Sequence, residues 1–320
     1  MTSLAKFAAF ATTSLLSGFI ALTPNPVHAV NLELIDSFDA NSVDGITFDP
    51  ATGNLFLAES VIVQPNAFDR DAFDLTILEV DTTGTTINSF TEIDDELVIA
   101  VSLSILPNGN LLTSDVIEGR IVEISSTTGE IVPGGIDIQS PILSFFTPDA
   151  QDATGIRFNP VNNTIFTANF VTGDLLEIAT ELDSNGNLII ESAIALRDII
   201  PEVSASGLEV DPETGNFFLA DDIDGTNAIY EITPDGKIVS SFDVEDFGFE
   251  DPEGLALDPV TRTLYVSFDN DSLEGIEVTQ GNKVAAFKIK SVPEPTSILG
   301  LLAFGALGIG FTLNGKQDGA

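Results

Sequence analysis

Apolar and polar residues alternate with a period of two over short runs along most of the chain, and the runs come in pairs. In SGLEVDPETGNFFLAD, Ser206 to Asp221, Leu208 and Val210 point one way and Glu209 the other, and a second apolar run, Phe217 to Ala220, follows Asp-Pro-Glu-Thr-Gly. Such alternation marks a strand with two unlike faces. Proline presets its own φ near −65° and the glycine tolerates φ > 0, so the five residues between the runs predict a hairpin connection.

The same unit recurs four more times. DGITFDPATGNLFLAE spans Asp44 to Glu59, VSLSILPNGNLLTSD spans Val101 to Asp115, TGIRFNPVNNTIFTAN spans Thr154 to Asn169, and EGLALDPVTRTLYVSF spans Glu253 to Phe268. The equivalent positions Gly45, Ser102, Gly155, Gly207 and Gly254 lie 57, 53, 52 and 47 residues apart. A period near fifty with turn signals inside it predicts a propeller. One hairpin is too small to bury itself, whereas a ring of blades leaves only short, protected edges.

Further strands fill each period. LTILEVD and TTINSFTEI extend the first unit, GRIVEIS and EIVPGGIDI the second, GDLLEIATEL and LIIESAI the third, NAIYEIT and KIVSSFDV the fourth, LEGIEVT and NKVAAFKIK the fifth. The fold class is therefore all-β, a β-propeller of five four-stranded blades. NLELIDSFD, Asn31 to Asp39, is left over: it predicts either a closing strand for the last blade or part of a sixth. ALRDII near Ala195 predicts a short turn of helix.

The two ends differ in kind from this repeat. Lys6, an apolar run from Phe7 to Leu22 and a small-residue site ending at Ala29 read as a secretory signal over residues 1–29, cut after Ala29. Residues 30–290 form the propeller. Residues 291–320 open with Ser291-Val292-Pro293-Glu294-Pro295-Thr296-Ser297 and continue through an uncharged run, Ile298 to Leu313, which reads as a linker and a short membrane anchor. A signal helix and a carboxyl-terminal apolar helix thus lie outside the fold.

Charge and composition narrow the chemistry. The formal net charge is −39, which repels nucleic acid and anionic lipid and attracts divalent cations. With 23 phenylalanines and 43% apolar residues, the propeller has ample core, and with no cysteine it uses no disulfide. The only histidine, His28, leaves with the signal. Histidine-based nucleophilic sites, histidine-ligated zinc and thiol redox chemistry are therefore excluded. Oxygen chemistry remains, which suits calcium or another divalent cation.

Hairpin geometry locates such oxygens. The start of each first strand and the end of each second lie at one end of the ring, gathering Asp44, Val101, Thr154, Ser206 and Glu253 with Glu59, Asp115, Asn169, Asp221 and Phe268, and Asp269 next to the last. Closing the ring sets Asp44 beside Glu253. Asp44, Glu253, Glu59, Asp115, Asp221 and Asp269 are the candidate cation ligands, with Asp44 and Glu253 the catalytic candidates. Asp221 to Gly225 and Asp269 to Asp271 are further candidate calcium loops, while Asp183 to Asn187 reads as a hairpin turn because Leu188 stands where an EF-hand needs glycine.

Two resemblances extend this. The carboxyl end resembles the PEP-CTERM sorting signal of bacterial exported proteins in its Val-Pro-Glu-Pro-Thr-Ser start, its Gly/Leu/Ala-rich span and its short hydrophilic finish. The resemblance implies that exosortase-type machinery recognises Pro293, Glu294 and Pro295 and sends the domain to the cell surface or its polysaccharide matrix, with membrane contact only through the tail. It departs from that pattern in ending on Lys316 and Asp318 instead of several basic residues. The repeat, with its x-Gly-aliphatic strand starts and Asp-Pro-x-Thr-Gly turns, is similar to SMP-30/gluconolactonase-like, NHL and esterase-like-phytase propellers. In gluconolactonase-like enzymes a divalent metal is held by Glu, Asn and Asp near strand starts. Asp44 and Glu253 match the acids, whereas Thr154 stands where the amide belongs.

The expectation is an exported acidic propeller acting as a binding or scaffold module toward extracellular polysaccharide or surface proteins. The alternatives are a calcium- or magnesium-dependent lactonase or esterase, and a matrix protein with no small ligand.

Overall fold

The computed structural model describes residues 30–41, 43–62, 73–91, 100–115, 120–139, 153–160, 162–169, 174–182, 188–200, 203, 205–221, 227–268 and 282–291. The signal, the sorting motif with Ala29, Pro293, Glu294 and Pro295, and the three acidic loops after Leu182, Asp221 and Phe268 lie outside them.

Chain order runs from β1 (Val30–Asp39) into five antiparallel four-stranded sheets. Blade one holds β2 (Val43–Asp49), β3 (Asn54–Ile62), β4 (Phe73–Val80) and β5 (Thr86–Phe90). Blade two holds β6 (Ala100–Ile105), β7 (Leu111–Asp115), β8 (Arg120–Ile124) and β9 (Asp137–Gln139). Blade three holds β10 (Ala153–Asn159), β11 (Thr164–Asn169), β12 (Asp174–Leu182) and β13 (Leu188–Ala195). Blade four holds β14 (Ala205–Val210), β15 (Phe217–Asp221), β16 (Ala228–Ile232) and β17 (Ile238–Asp243).

Blade five settles the count. Its order is β1, β20 (Lys283–Ser291), β19 (Thr263–Phe268) and β18 (Pro252–Asp258). NKVAAFKIK is thus the third strand of the blade, not the fourth as its place in the sequence predicts, and LEGIEVT lies outside the described residues. The fourth place is taken by the amino-terminal strand, which pairs antiparallel with β20 from Val30↔Ser291 to Asp39↔Lys283. Among the described residues there is no sixth blade. The helical turn expected near Ala195 is a 3-10 turn, Leu196–Asp198.

The first strand of every blade is its inner strand, and the inner strands pack side by side in the order β2, β6, β10, β14, β18 and back to β2. Five apolar cores result, each filling the gap between two neighbouring blades. β1 feeds both seams that flank blade five: Val30 and Leu32 enter the core shared with blade four, and Phe38 with Ala40 packs against the core shared with blade one.

The repeated hairpin turn follows from its sequence. In Asp49-Pro-Ala-Thr-Gly the aspartate accepts from the Ala51 N–H at 2.8 Å and the Thr52 hydroxyl at 2.8 Å, and Asp211 and Asp258 do the same in blades four and five. The turn then needs a left-handed residue, supplied by Gly53 and Gly215 at φ 78° and 76°, but by Arg262 at φ 56° in blade five. That arginine gains a compensating contact. Its guanidinium grips the buried carboxylate of Asp211 with two bonds, 2.5 and 2.8 Å, tying blade five to blade four. Burial pushes the Asp211 carboxyl up, but the hydrogen bonds from Arg262, the Glu213 N–H and Thr214 outweigh it and hold the group below its ordinary value.

The glycine just inside each inner strand is where the next blade comes closest. A Cβ added at Gly45 would lie 2.9 Å from the Ser102 backbone; at Gly155, 2.9 Å from Leu208 Cβ; at Gly207, 2.0 Å from the Glu253 carbonyl oxygen; at Gly254, 2.9 Å from the Asp44 carbonyl oxygen. Blade two carries Ser102 instead, and its hydroxyl accepts from the Ile156 N–H of blade three at 2.8 Å. Gly207→Ala is expected to destabilise the protein by about 3 kcal/mol, since backbone must move in a close-packed ring. Urea unfolding followed by far-UV circular dichroism measures the loss.

Candidate functional site

Two positions in each inner strand matter for what the ring can do: the residue before the glycine, at the mouth, and the second residue after it, at the axis. Each inner strand slips register beside its glycine, or beside Ser102 in blade two, between Val43 and Gly45, Ala100 and Leu103, Ala153 and Gly155, Ala205 and Gly207, and Pro252 and Leu255. A bulge leaves one residue unpaired and re-aims it. Asp44, Thr154, Ser206 and Glu253 fall in these bulges.

The ladder confirms that first-strand starts and second-strand ends share one end of the ring. Val43 pairs with Glu59, Ala100 with Asp115, Ala153 with Asn169, Ala205 with Asp221 and Pro252 with Phe268. Ring closure brings the backbone of Asp44 against Gly254, the neighbour of Glu253. Asp44 and Glu253 are half-buried. Asp44, Glu253 and Asp221 are each engaged in interactions within the protein. Ser206 is buried and donates to the Pro252 carbonyl at 2.8 Å.

Glu59 faces elsewhere. Its two oxygens accept from the Asn41 N–H and side-chain amide, both at 3.2 Å, beside a cavity of about 200 Å³ between blade one and the closing strand, lined also by Phe38, Leu57 and Val80. The side chain of Asp115, and Asp269 altogether, lie outside the described residues. Among the described residues no group of three or more acids, histidines or cysteines is arranged to hold a metal ion, and no helix is long and apolar enough to cross a membrane.

The axis is occupied by a network that the sequence pattern did not single out. The second residues after the glycine positions are Thr47, Ser104, Arg157, Glu209 and Ala256, all buried. Arg157 of blade three reaches across to blade one, donating from Nη1 to Thr47 Oγ1 at 2.8 Å, and its Nη2 lies 2.6 Å from Glu209 Oε2 in blade four. Glu209 also accepts from the Leu257 N–H of blade five at 2.9 Å, and Thr47 accepts from the Ile105 N–H of blade two at 3.2 Å. One guanidinium and one carboxylate thereby join blades one, three, four and five, and the Thr47 hydroxyl adds blade two. Glu209 is 1% exposed. Burial pushes its carboxyl up, and the charge of Arg157 and the N–H groups of Val210 and Leu257 pull it back, leaving it at about 7.

Alternation along β14 does show Glu209 on the opposite side from Leu208 and Val210. That this side is the axis, with Arg157 next to it, follows only from closure.

No protein-family model matches the sequence, and no curated protein matches it by sequence. Solved structures match in shape. The glutaminyl cyclase of Myxococcus xanthus is 12% identical with a TM-score of 0.51 over 82% of this chain and 97% of that one. A luciferin-regenerating enzyme is 15% identical with a TM-score of 0.51 over 82% and 98%. A calcium-binding protein, regucalcin, from Agrobacterium tumefaciens is 15% identical with a TM-score of 0.51 over 83% and 96%. At such identities the likeness is one of fold, and it agrees with the topology above.

The raised Glu209 group sets a pH dependence. A carboxyl whose folded value lies above its unfolded value contributes stability that is fully present below about 4.5 and is lost as pH rises through about 7. Arg157→Met removes the attraction that pulls Glu209 down, so its unfolding midpoint in urea is expected to fall more steeply than the parent's between pH 5 and pH 8. Equal slopes would show that the pair is not coupled in the folded protein. The chain is a five-bladed β-propeller whose axis is closed by the Arg157 and Glu209 ion pair.

Proposed function

We propose that the chain is an exported β-propeller that acts at the cell surface or in the extracellular matrix as a binding or scaffold module. It is released from a leader after Ala29 and sorted through Pro293, Glu294 and Pro295 by exosortase-type processing. The observation that carries this reading is the filled hub. Arg157 bonds to both Glu209 and Thr47 where a small molecule would have to pass, and Asp44, Glu253 and Glu59 are engaged within the protein. What is left for recognition is the outside of the ring. The surface is strongly acidic, with a net charge of −39 over the whole chain, which suits cationic or calcium-bridged partners.

Two measurements test the reading. Deleting residues 292–320 is expected to release the propeller into the medium, and replacing Pro293, Glu294 and Pro295 by alanine is expected to leave the tail unprocessed. Calcium titration of the purified protein, followed by thermal melting, is expected to give the same midpoint in the parent and in Asp44→Asn/Glu253→Gln. A calcium-dependent rise lost in that double variant, together with lactone or ester turnover, would replace this reading by a metal-dependent hydrolase.

A further inference from the structure

The seam between blades four and five contains a buried carboxylate beside the first residue of the closing strand. Glu231, on β16, is wholly buried. Its oxygens accept from Asn216 Nδ2 at 2.6 Å and from Ser240 Oγ at 3.1 Å. The Val30 N–H donates to Ser240 Oγ at 3.1 Å, so a single hydroxyl links the Val30 nitrogen to the Glu231 carboxylate. Burial raises the Glu231 carboxyl above its ordinary value, those three donors oppose the rise, and Asp211 adds to it. Arg262, the other charged group facing Glu231, is already held by Asp211 and Glu213.

The position of Val30 gives this arrangement a further use. The first residue of β1 is also the first residue after the leader site read at Ala29. We propose that hydrolysis of the bond between Ala29 and Val30 during export creates an α-ammonium group that pairs with the Glu231 carboxylate and locks the closing strand of the ring. The inference rests on the export reading above. In the cleavage, water adds across the amide: the Ala29 carbonyl carbon takes the hydroxyl and leaves as a carboxylate, and the Val30 nitrogen takes the protons. A single neutral N–H is thereby replaced by a cation with three donors. Opposite charge next to a buried carboxylate favours its ionised form, and the pair forms where desolvation makes it strong. The uncut chain lacks the pair, so its ring closes less tightly while it has still to cross the membrane.

The test uses the chain from Val30 to Ala320 with a free amino terminus at Val30, prepared by removing a fusion partner, and the same chain extended by residues 26–29. Each is made with Glu231 and with Glu231→Gln. The free Val30 form is expected to melt at least about 4 °C above the extended form. That difference is expected to vanish in Glu231→Gln. If Glu231→Gln does not fold, Glu231→Asp, which withdraws the charge by one methylene, must shrink the difference. Equal melting of the two forms, or a difference that survives the substitutions, would overturn the ion pair and leave the export reading standing. Intact mass of protein recovered outside the cells is expected to begin at Val30. A different first residue would overturn the proposal through its cleavage premise, whatever the melting data show.

Discussion

Close approach of five inner strands around one axis is the constraint on which this structure depends. At Gly207 even a methyl group would fall 2.0 Å from a carbonyl oxygen of the next blade. Four of the five places are therefore glycine, and at the fifth Ser102 bonds to the neighbouring strand through its hydroxyl. Every inner strand slips register at this place, in blade two beside Ser102, and the bulge turns Asp44, Thr154, Ser206 and Glu253 out of the regular ladder.

The hub polar network works within that narrow space. Burying a guanidinium and a carboxylate costs solvation, and such pairs add little net stability over an apolar filling. What this pair adds is a set of directional contacts. Arg157 reaches Thr47 and Glu209 only when blades one and four stand where they do, and Glu209 reaches the Leu257 N–H only when blade five is in place. Apolar contacts between blades carry no such direction, because the five interblade cores are built from similar Leu, Ile, Val and Phe side chains.

Closure by β1 ties the start of the repeat region to its end. The strand belongs to the last blade but precedes the first in sequence, so the ring is completed by residues far apart in the chain, Val30 with Ser291 and Asp39 with Lys283. Its two ends serve different neighbours, Val30 and Leu32 toward blade four, Phe38 toward blade one. Phe38 fits there because Gly84, at φ 84°, has no Cβ: one would sit 2.5 Å from its ring.

Local features were readable in the one-dimensional order. Alternation marked the strands, Asp-Pro-x-Thr-Gly marked the hairpins through its own side-chain to backbone bonds, and the spacing of Gly45, Ser102, Gly155, Gly207 and Gly254 marked the repeat, because each depends on residues a few positions apart. A second repeat runs through the third strands: Glu79, Glu123, Glu177 and Glu231 each accept from an asparagine near the turn of their own blade, and Ala286 stands at that place in blade five. Strand order in blade five, the partnership of Arg157 with Glu209 and the contact of Val30 with Ser240 could not be read that way. Each joins residues separated by dozens to hundreds of positions, and only closure of the ring, set by how many wedge-shaped blades pack around an axis, decides which of them meet.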